Sequence, residues 1–435
     1  MNKLFSLKDN NTTAGTEIYA GLTTFFAMSY IIFLNPVYLS AAGMSPDGVM
    51  IATCISAAFG TLLCAFLSNR PFAMASGMGL NAYFAYTLCL GYGYTWRQAL
   101  ALTFIAGIIF LVIVLLPVRD RLISSIPVNM KYAITAGIGL FLATVGLLDS
   151  GIITLANGLP SLGNLHDPSV IIALTGLAAT AVLLVFNVKG SLMIGMFITV
   201  GAGIAMGITP LPKSVIGLPT AISDVFMKMD FTNLSLGQTG AKGVISLAAL
   251  LLSLTLIDMF DTLGFLIGAG ARMKIIDKDG NMPGMGRVMI ADAASTVVGA
   301  VCGTSTVTCY AESAAGISAG GKTGLTSFTT GICFLLAVIF APLTSVVTAA
   351  ATAPVMIIIG MYLFMEIRNL KFDSMDNAIP AFLTIITMPL AYSITAGIGA
   401  GFIAFILCRI FTGKRKEINP VMAVLAVIFL IYFIL

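Results

Sequence analysis

Residues 304–325 read TSTVTCYAESAAGISAGGKTGL, and the fold turns on the solvent that surrounds them. Within the stretch, Gly316–Thr323 spell G-I-S-A-G-G-K-T, the pattern G-x-x-x-x-G-K-[ST] of a phosphate loop. Such a loop needs a hydrophobic strand running directly into its first glycine, inside a soluble αβ domain. Here T-S-T-V-T-C-Y (304–310) is β-branched and polar, a helix-compatible A-E-S-A-A follows, and apolar runs of lipid length flank both sides. The glycines therefore read as a compact turn between two membrane segments, and Lys322 as a cytoplasmic anchor.

The solvent is lipid. Of the 435 residues 58% are hydrophobic and 9% charged, where a soluble domain carries about a quarter charged residues. Runs of about 20 apolar residues, enough to cross ~30 Å of hydrocarbon, recur along the whole chain. Segments are predicted near 18–38, 48–68, 72–89, 98–117, 129–148, 168–186, 191–208, 244–270, 286–303, 304–320, 323–346, 350–367, 378–390 and 393–410. The run at 419–435 is either a fifteenth crossing or a helix packed against the bundle. The connection from about 209 to 242 reads as an ordered extramembrane segment.

With the N-terminus in the cytoplasm, most of the 22 Lys and Arg fall on that side, among them Lys8, Arg70, Arg119, Arg121, Lys131, Lys189, Lys274, Arg287, Arg368 and Lys371. The cluster GKRKE at 413–417 joins them only if 378–410 is two short crossings rather than one. The N-terminal stretch lacks the pattern of a cleaved signal peptide. The seven cysteines lie singly, with no metal-ligand spacing. No cofactor and no nucleic-acid partner is expected, since no basic tract is present.

Two segments do not read as spanning helices. In the third, P-F-A-M-A-S-G-M-G-L-N-A (71–82) puts small residues and two glycines at mid-membrane; the tenth opens with the polar, β-branched stretch quoted above. Backbone that is not helical cannot face lipid, so both should line a cavity inside the protein. They lie seven segments apart and so run in opposite directions, the sequence sign of an inverted-repeat transporter whose half-helices meet at the midplane. Four acidic residues are taken to lie within spans: Asp258, Asp261, Asp292 and Glu312. A carboxylate at that depth costs at least ~2.5–3.5 kcal/mol and marks function by default. Asp258 and Asp261, at i and i+3, are expected on one helix face. With no Lys or Arg at that depth, at least one carboxyl is expected to be protonated in some states and ionised in others, as proton coupling requires. Asp292, near a helix end and five residues after Arg287, reads as a structural or capping residue. Asn81, Ser313, helix-start amides and the aromatics Tyr83, Phe84, Phe260 and Tyr310 complete a pocket suited to a planar, neutral heterocycle.

At these residues the chain resembles the nucleobase–cation symporter-2 superfamily, and within it the AzgA-like branch of guanine, hypoxanthine and adenine permeases. The match runs through EIYAGLTTFFAMSYIIFLNP (17–36), SGMGLNAYFAY (76–86), AGIGLFLATVGL (136–147), LIDMFDTLG (256–264), GTSTVTCYAESAAGISAGGKTGLTS (303–327) and PAFLTIITMPLAYSITAGIGAGFI (380–403). The resemblance implies an all-α polytopic fold of about 14 segments in two inverted seven-segment repeats, with short strands in segments 3 and 10. It implies a core domain over 1–118 and 243–347 and a gate domain over 119–242 and 348–411, with 412–435 beyond them. It implies proton-coupled purine uptake across the cytoplasmic (inner) membrane, with substrate binding at Asp258, Asp261, Tyr310, Ala311, Glu312, Ser313, Gly79 and Asn81, and proton coupling at Glu312, Asp261 and Asp258. The expected partners are a purine base, a proton, the bilayer and a second copy of the chain. Phe265 stands where the family has a hydroxyl residue. Asn81 and the extra Asp258 resemble the guanine and hypoxanthine members more than the adenine ones.

Other readings fit less well. An intramembrane serine protease lacks a histidine base, since the one histidine, His166, is in a loop, and a zinc protease lacks H-E-x-x-H. An aspartyl protease needs its two aspartates on different helices, and an anion carrier needs a cation at the half-helix ends. The DKDGN run at 277–281 lacks the remaining ligands of a calcium loop.

Overall fold

The computed structural model describes residues 4–116, 126–156, 159–212, 214–217, 219–235, 240–273, 282 and 284–434. Lys3, Arg119, Arg121, Lys274, the boundary expected at 118/119 and the DKDGN run lie outside the described residues.

Each of the fourteen expected segments coincides with one or more elements. Segment 1 is two helices, α1 (Ala14–Met28) and α2 (Ile31–Ala41), rather than one; the chain breaks at Ser29, whose hydroxyl turns back to the Phe26 carbonyl at 3.1 Å. Then follow α3 (Pro46–Ser68), strand β1 (Met74–Ser76), α4 (Met78–Ala82) continuing as a π-helix to Gly91, and α5 (Trp96–Leu115). Segments 5 to 7 are α6 (Val128–Asp149), α7 (Pro168–Val185) and α8 (Ser191–Ala205); a hairpin of β2 (Ile153–Ala156) and β3 (Leu159–Leu162), not foreseen from the sequence, sits between the first two. The second half comprises α9 (Gly240–Arg272), α10 (Met285–Cys302), strand β4 (Val307–Cys309), α11 (Ser313–Ser318), α12 (Gly324–Ala337), α13 (Ala349–Phe364), α14 (Met375–Leu390), α15 (Ile394–Phe411) and α16 (Pro420–Ile434). Among the described residues ten helices are long and apolar enough to cross a membrane, with α8, α14 and α16 shorter.

Helix starts follow local chemistry. Ser45 and Asp167 each cap a helix that opens on proline, and Thr95 with Gln98 forms a reciprocal capping box. At the other end of the chain the basic cluster has a structural use. Arg409 pairs with Asp376, and the Lys414 ammonium lies 2.8 Å from the same carboxylate. The end of α15 is thereby tied to the start of α14, so 375–411 is a hairpin of two helices rather than one span, as the position of GKRKE predicts.

α12 packs on α1 and α3, and α10 on α3 and α5; separately, α6 packs on α13 and α14, α7 on α8 and α13, and α14 on α15. α16 lies against α15 and α9. Its 15 residues span about 22 Å, short of the ~30 Å hydrocarbon core. The extramembrane connection is ordered where described: its backbone amides at Met227 and Asp230 bond the carbonyls of Val301 and Arg97 at 2.8 and 3.0 Å.

Candidate functional site

The two broken segments meet. β1 and β4 pair antiparallel in the register Met74↔Cys309, Ala75↔Thr308, Ser76↔Val307. Gly77 N–H donates to the Thr306 carbonyl at 3.1 Å and Tyr310 N–H to the Ala73 carbonyl at 2.9 Å, extending the ladder at both ends. Each strand thus satisfies the other's backbone where lipid could not.

Side chains pin this crossing from behind. The Asn35 amide donates to Thr53 Oγ1 at 2.7 Å, Thr304 Oγ1 at 2.7 Å and Ser76 Oγ at 3.2 Å, joining α2, α3 and both strand segments. Tyr310 donates its hydroxyl to the Ser76 carbonyl at 2.6 Å. Ser313 Oγ accepts from Ala73 N–H at 2.9 Å, and the Ser305 hydroxyl donates to Asn81. All these side chains are buried.

In front of the crossing lies a cavity of about 450 Å³, within the ~300–1,000 Å³ usual for small-molecule sites. Gly79, Asp261, Tyr310, Ala311 and Glu312 line it, together with Phe260. The amides of Met78 and Gly79, in the first turn of α4, have no acceptor within their own helix, and both residues line this space. Gly79 cannot carry a side chain without displacing that of Ile138 on α6, because a Cβ there would lie 2.6 Å from Ile138 Cγ2.

Three expected binding residues are elsewhere. Asp258 is not turned to the cavity with Asp261: its Oδ2 accepts from the Thr296 hydroxyl of α10 at 2.9 Å. Three residues advance a helix by about 300°, and the remaining offset of about 60° is enough to aim neighbouring carboxylates at different elements. Asn81 and Ser313 hold the crossing and do not line the cavity. Tyr83 is likewise committed, its hydroxyl 2.7 Å from Thr395 Oγ1, and Phe84 is fully buried. Asp292, expected near a helix end, is fully buried and accepts from the Thr262 hydroxyl at 2.8 Å.

Sequence reasoning missed Tyr30, whose hydroxyl donates to Glu312 Oε1 at 2.6 Å and which lines the cavity. The two residues are 282 positions apart, so periodicity carried no sign of the contact. It also missed Glu366, which lines the cavity's edge, though it falls inside the predicted span 350–367 and was legible as a further carboxylate. Lys131, expected on the cytoplasmic side, brings its ammonium 5.7 Å from the centre of the Phe260 ring.

The phosphate-loop pattern is answered from inside the chain. Glu17, fully buried, accepts from the amides of Lys322 and Thr323 at 3.0 and 3.2 Å and from the Thr326 hydroxyl at 2.6 Å. A carboxylate of the protein itself takes the loop amides that a phosphate would need.

Two strand-plus-half-helix units crossing inside a bundle of apolar helices, with a carboxylate-bearing cavity at the crossing, define a membrane transporter of the inverted-repeat class. The transmembrane domain of a cyanobacterium bicarbonate transporter, BicA, has this fold: it superposes with a TM-score of 0.66 at 13% identity, over 88% of this chain and 97% of that one. Residues 15–400 match the sequence model described as the Permease family (Xan_ur_permease). The guanine/hypoxanthine permease PbuO of Bacillus subtilis is 41% identical over 98% of this chain and 99% of its own length. The adenine permease AdeP of Escherichia coli is 34% identical over 99% of this chain and 95% of its own. The chain belongs to the nucleobase–cation symporter-2 family, and it is a membrane permease rather than an enzyme.

Proposed function

We propose that the protein imports purine bases together with protons across the cytoplasmic membrane, with guanine and hypoxanthine preferred over adenine, xanthine or uracil. The observation that carries this reading is the cavity in which Asp261 and Glu312 face Tyr310 and Phe260 beside the start of a half-helix. Carboxylates accept from the N–H edge of a purine, helix-start amides donate to its carbonyl, and an aromatic face covers the ring. The match to guanine/hypoxanthine permeases over nearly the whole chain supports the base preference.

In this reading Glu312 and Asp261 hold the base, Gly79 and Ala311 offer backbone, and Tyr310 serves through its ring, its hydroxyl being engaged with the strand. Tyr30 is a positioning residue for Glu312. Glu312 and Asp261 are the proton-coupling groups nearest the base. Asp258 is proposed only as a proton-handling group behind the strand, and Asn81 and Ser313 only as supports of the crossing. Transport follows as the core set, segments 1–4 and 8–11, shifts against the gate set, segments 5–7 and 12–14. The N-terminus faces the cytoplasm, and the unit in the membrane is a homodimer.

Uptake of labelled guanine, hypoxanthine, adenine, xanthine and uracil by cells lacking their own permeases, with and without a protonophore, tests the reading. Guanine and hypoxanthine should accumulate, and the protonophore should collapse that accumulation. Uptake indifferent to the proton gradient overturns the coupling, and accumulation of none of the five bases overturns the substrate class.

A further inference from the structure

A second cavity, of about 480 Å³, shares no lining residue with the first. Three elements order the two spaces. Along segment 3, Gly79 lines the first cavity and Thr87 and Tyr92 the second, with Tyr86 between them. On α6, Ile138 lines the first, and Phe141, one turn on, packs its ring 5.4 Å from that of Tyr392, which lines the second. At the N-terminal boundary of α2, Tyr30 lines the first, and Tyr38, two turns on, packs 6.0 Å from Tyr86. Tyr86 also meets Tyr392 at 6.0 Å and donates its hydroxyl to Asp149 at 2.5 Å. Tyr38, Tyr86, Phe141 and Tyr392 therefore form an aromatic layer with one cavity on each side.

The second cavity is built for a ligand of definite character. No charged side chain lines it among the described residues, whereas Asp261, Glu312 and Glu366 line the first. Its walls carry Tyr92, Tyr94, Tyr392 and Tyr432. Thr87, almost fully buried, forms part of the wall. Tyr432 of α16 donates to the Tyr92 hydroxyl at 2.6 Å, which lies 3.2 Å from Ser393 Oγ, so a row of hydroxyls follows one wall. Tyr392 is held at φ 50°, a left-handed backbone that a large side chain adopts at a cost, at the seam between this cavity and the aromatic layer.

We propose that the second cavity is a separate binding site for a neutral, planar heterocycle, a holding site on the far side of the aromatic layer from the carboxylates. It rests on the reading that the protein carries purine bases. Tyrosine faces stack on the ring, and hydroxyls both donate and accept, so the site takes purines with little regard to their edge pattern. Selection then falls to the carboxylates of the first cavity. α16, lying outside the fourteen segments, supplies one wall through Tyr432 and Phe433.

Equilibrium binding of labelled hypoxanthine to the purified full chain in nanodiscs, counted per chain, tests this. Two equivalents are expected for the wild type and one for Glu312→Gln, which loses the first site alone. Ala396→Trp, which puts an indole ring into the second cavity in the place of a bound heterocycle, should also leave one equivalent, and that remaining binding reports that the variant is folded. If Glu312→Gln binds no base while the wild type binds one equivalent, the holding site is overturned and the transport reading stands. If the wild type binds no base, the transport reading itself fails. A co-purified lipid in the second cavity, with no second equivalent of base, also overturns the holding site.

Discussion

The strand crossing and the contact between α6 and α13 are both buried, and they are held by opposite means. At the crossing, a two-stranded ladder and the Asn35, Ser76 and Thr304 cluster fix two backbone segments through hydrogen bonds. Between α6 and α13 the backbones touch almost bare: a Cβ on Gly139 would lie 2.4 Å from Phe364 N and 2.5 Å from the Gly360 carbonyl oxygen. Hydrogen bonds are directional and hold one register, whereas small-residue packing gains only close dispersion contact. The element proposed to carry the binding chemistry is thus the one whose geometry is over-determined. Gly79 against Ile138, where segment 3 meets α6, belongs to the smooth kind, which suits a surface along which the proposed core and gate sets move.

The largest effect should come from the chemistry the crossing presents. Glu312→Gln should lower purine uptake by at least about 30-fold, the equivalent of ~2 kcal/mol, with the protein still in the membrane fraction; near-normal uptake would sink its role. Next, Gly139→Leu should force α6 from α13 and cost about 1–3 kcal/mol by overpacking, seen as a lower melting temperature in detergent. An unchanged melting temperature would show that the two helices are not held by close approach. Asn35→Ala removes the shared amide and leaves its buried hydroxyls short of a partner, costing about 1–3 kcal/mol. Its loss should appear in both uptake and melting temperature, and loss of uptake alone would point to direct substrate contact instead. Smallest, Tyr30→Phe should weaken uptake about tenfold with no change in melting temperature, since it removes one hydrogen bond to Glu312.

Much of the architecture was legible because lipid is an unforgiving solvent. Span boundaries, the hairpin forced by GKRKE and the two irregular segments all follow from local rules on length, charge and backbone satisfaction. Of the cavity lining, Asp261, Glu312, Tyr310, Ala311 and Gly79 could be picked out because carboxylates and non-helical backbone at mid-membrane are rare. Asp258, Asn81 and Ser313 carry the same local signs, yet serve neighbouring elements instead of the cavity. Tyr30 bears no such sign, being one tyrosine in an apolar helix.

By itself, then, the sequence determined that the chain spans the membrane, where its helices break and which residues are too costly at that depth to be idle. Each of those is a contest between a short stretch and its solvent, decided within about 20 residues. Only the tertiary structure decided that the two broken segments pair strand to strand, which carboxylate faces the cavity, and that Glu17 fills the loop at GISAGGKT. Those outcomes depend on a few degrees of helix rotation and on partners up to about three hundred residues apart, neither of which leaves a periodic trace in the chain.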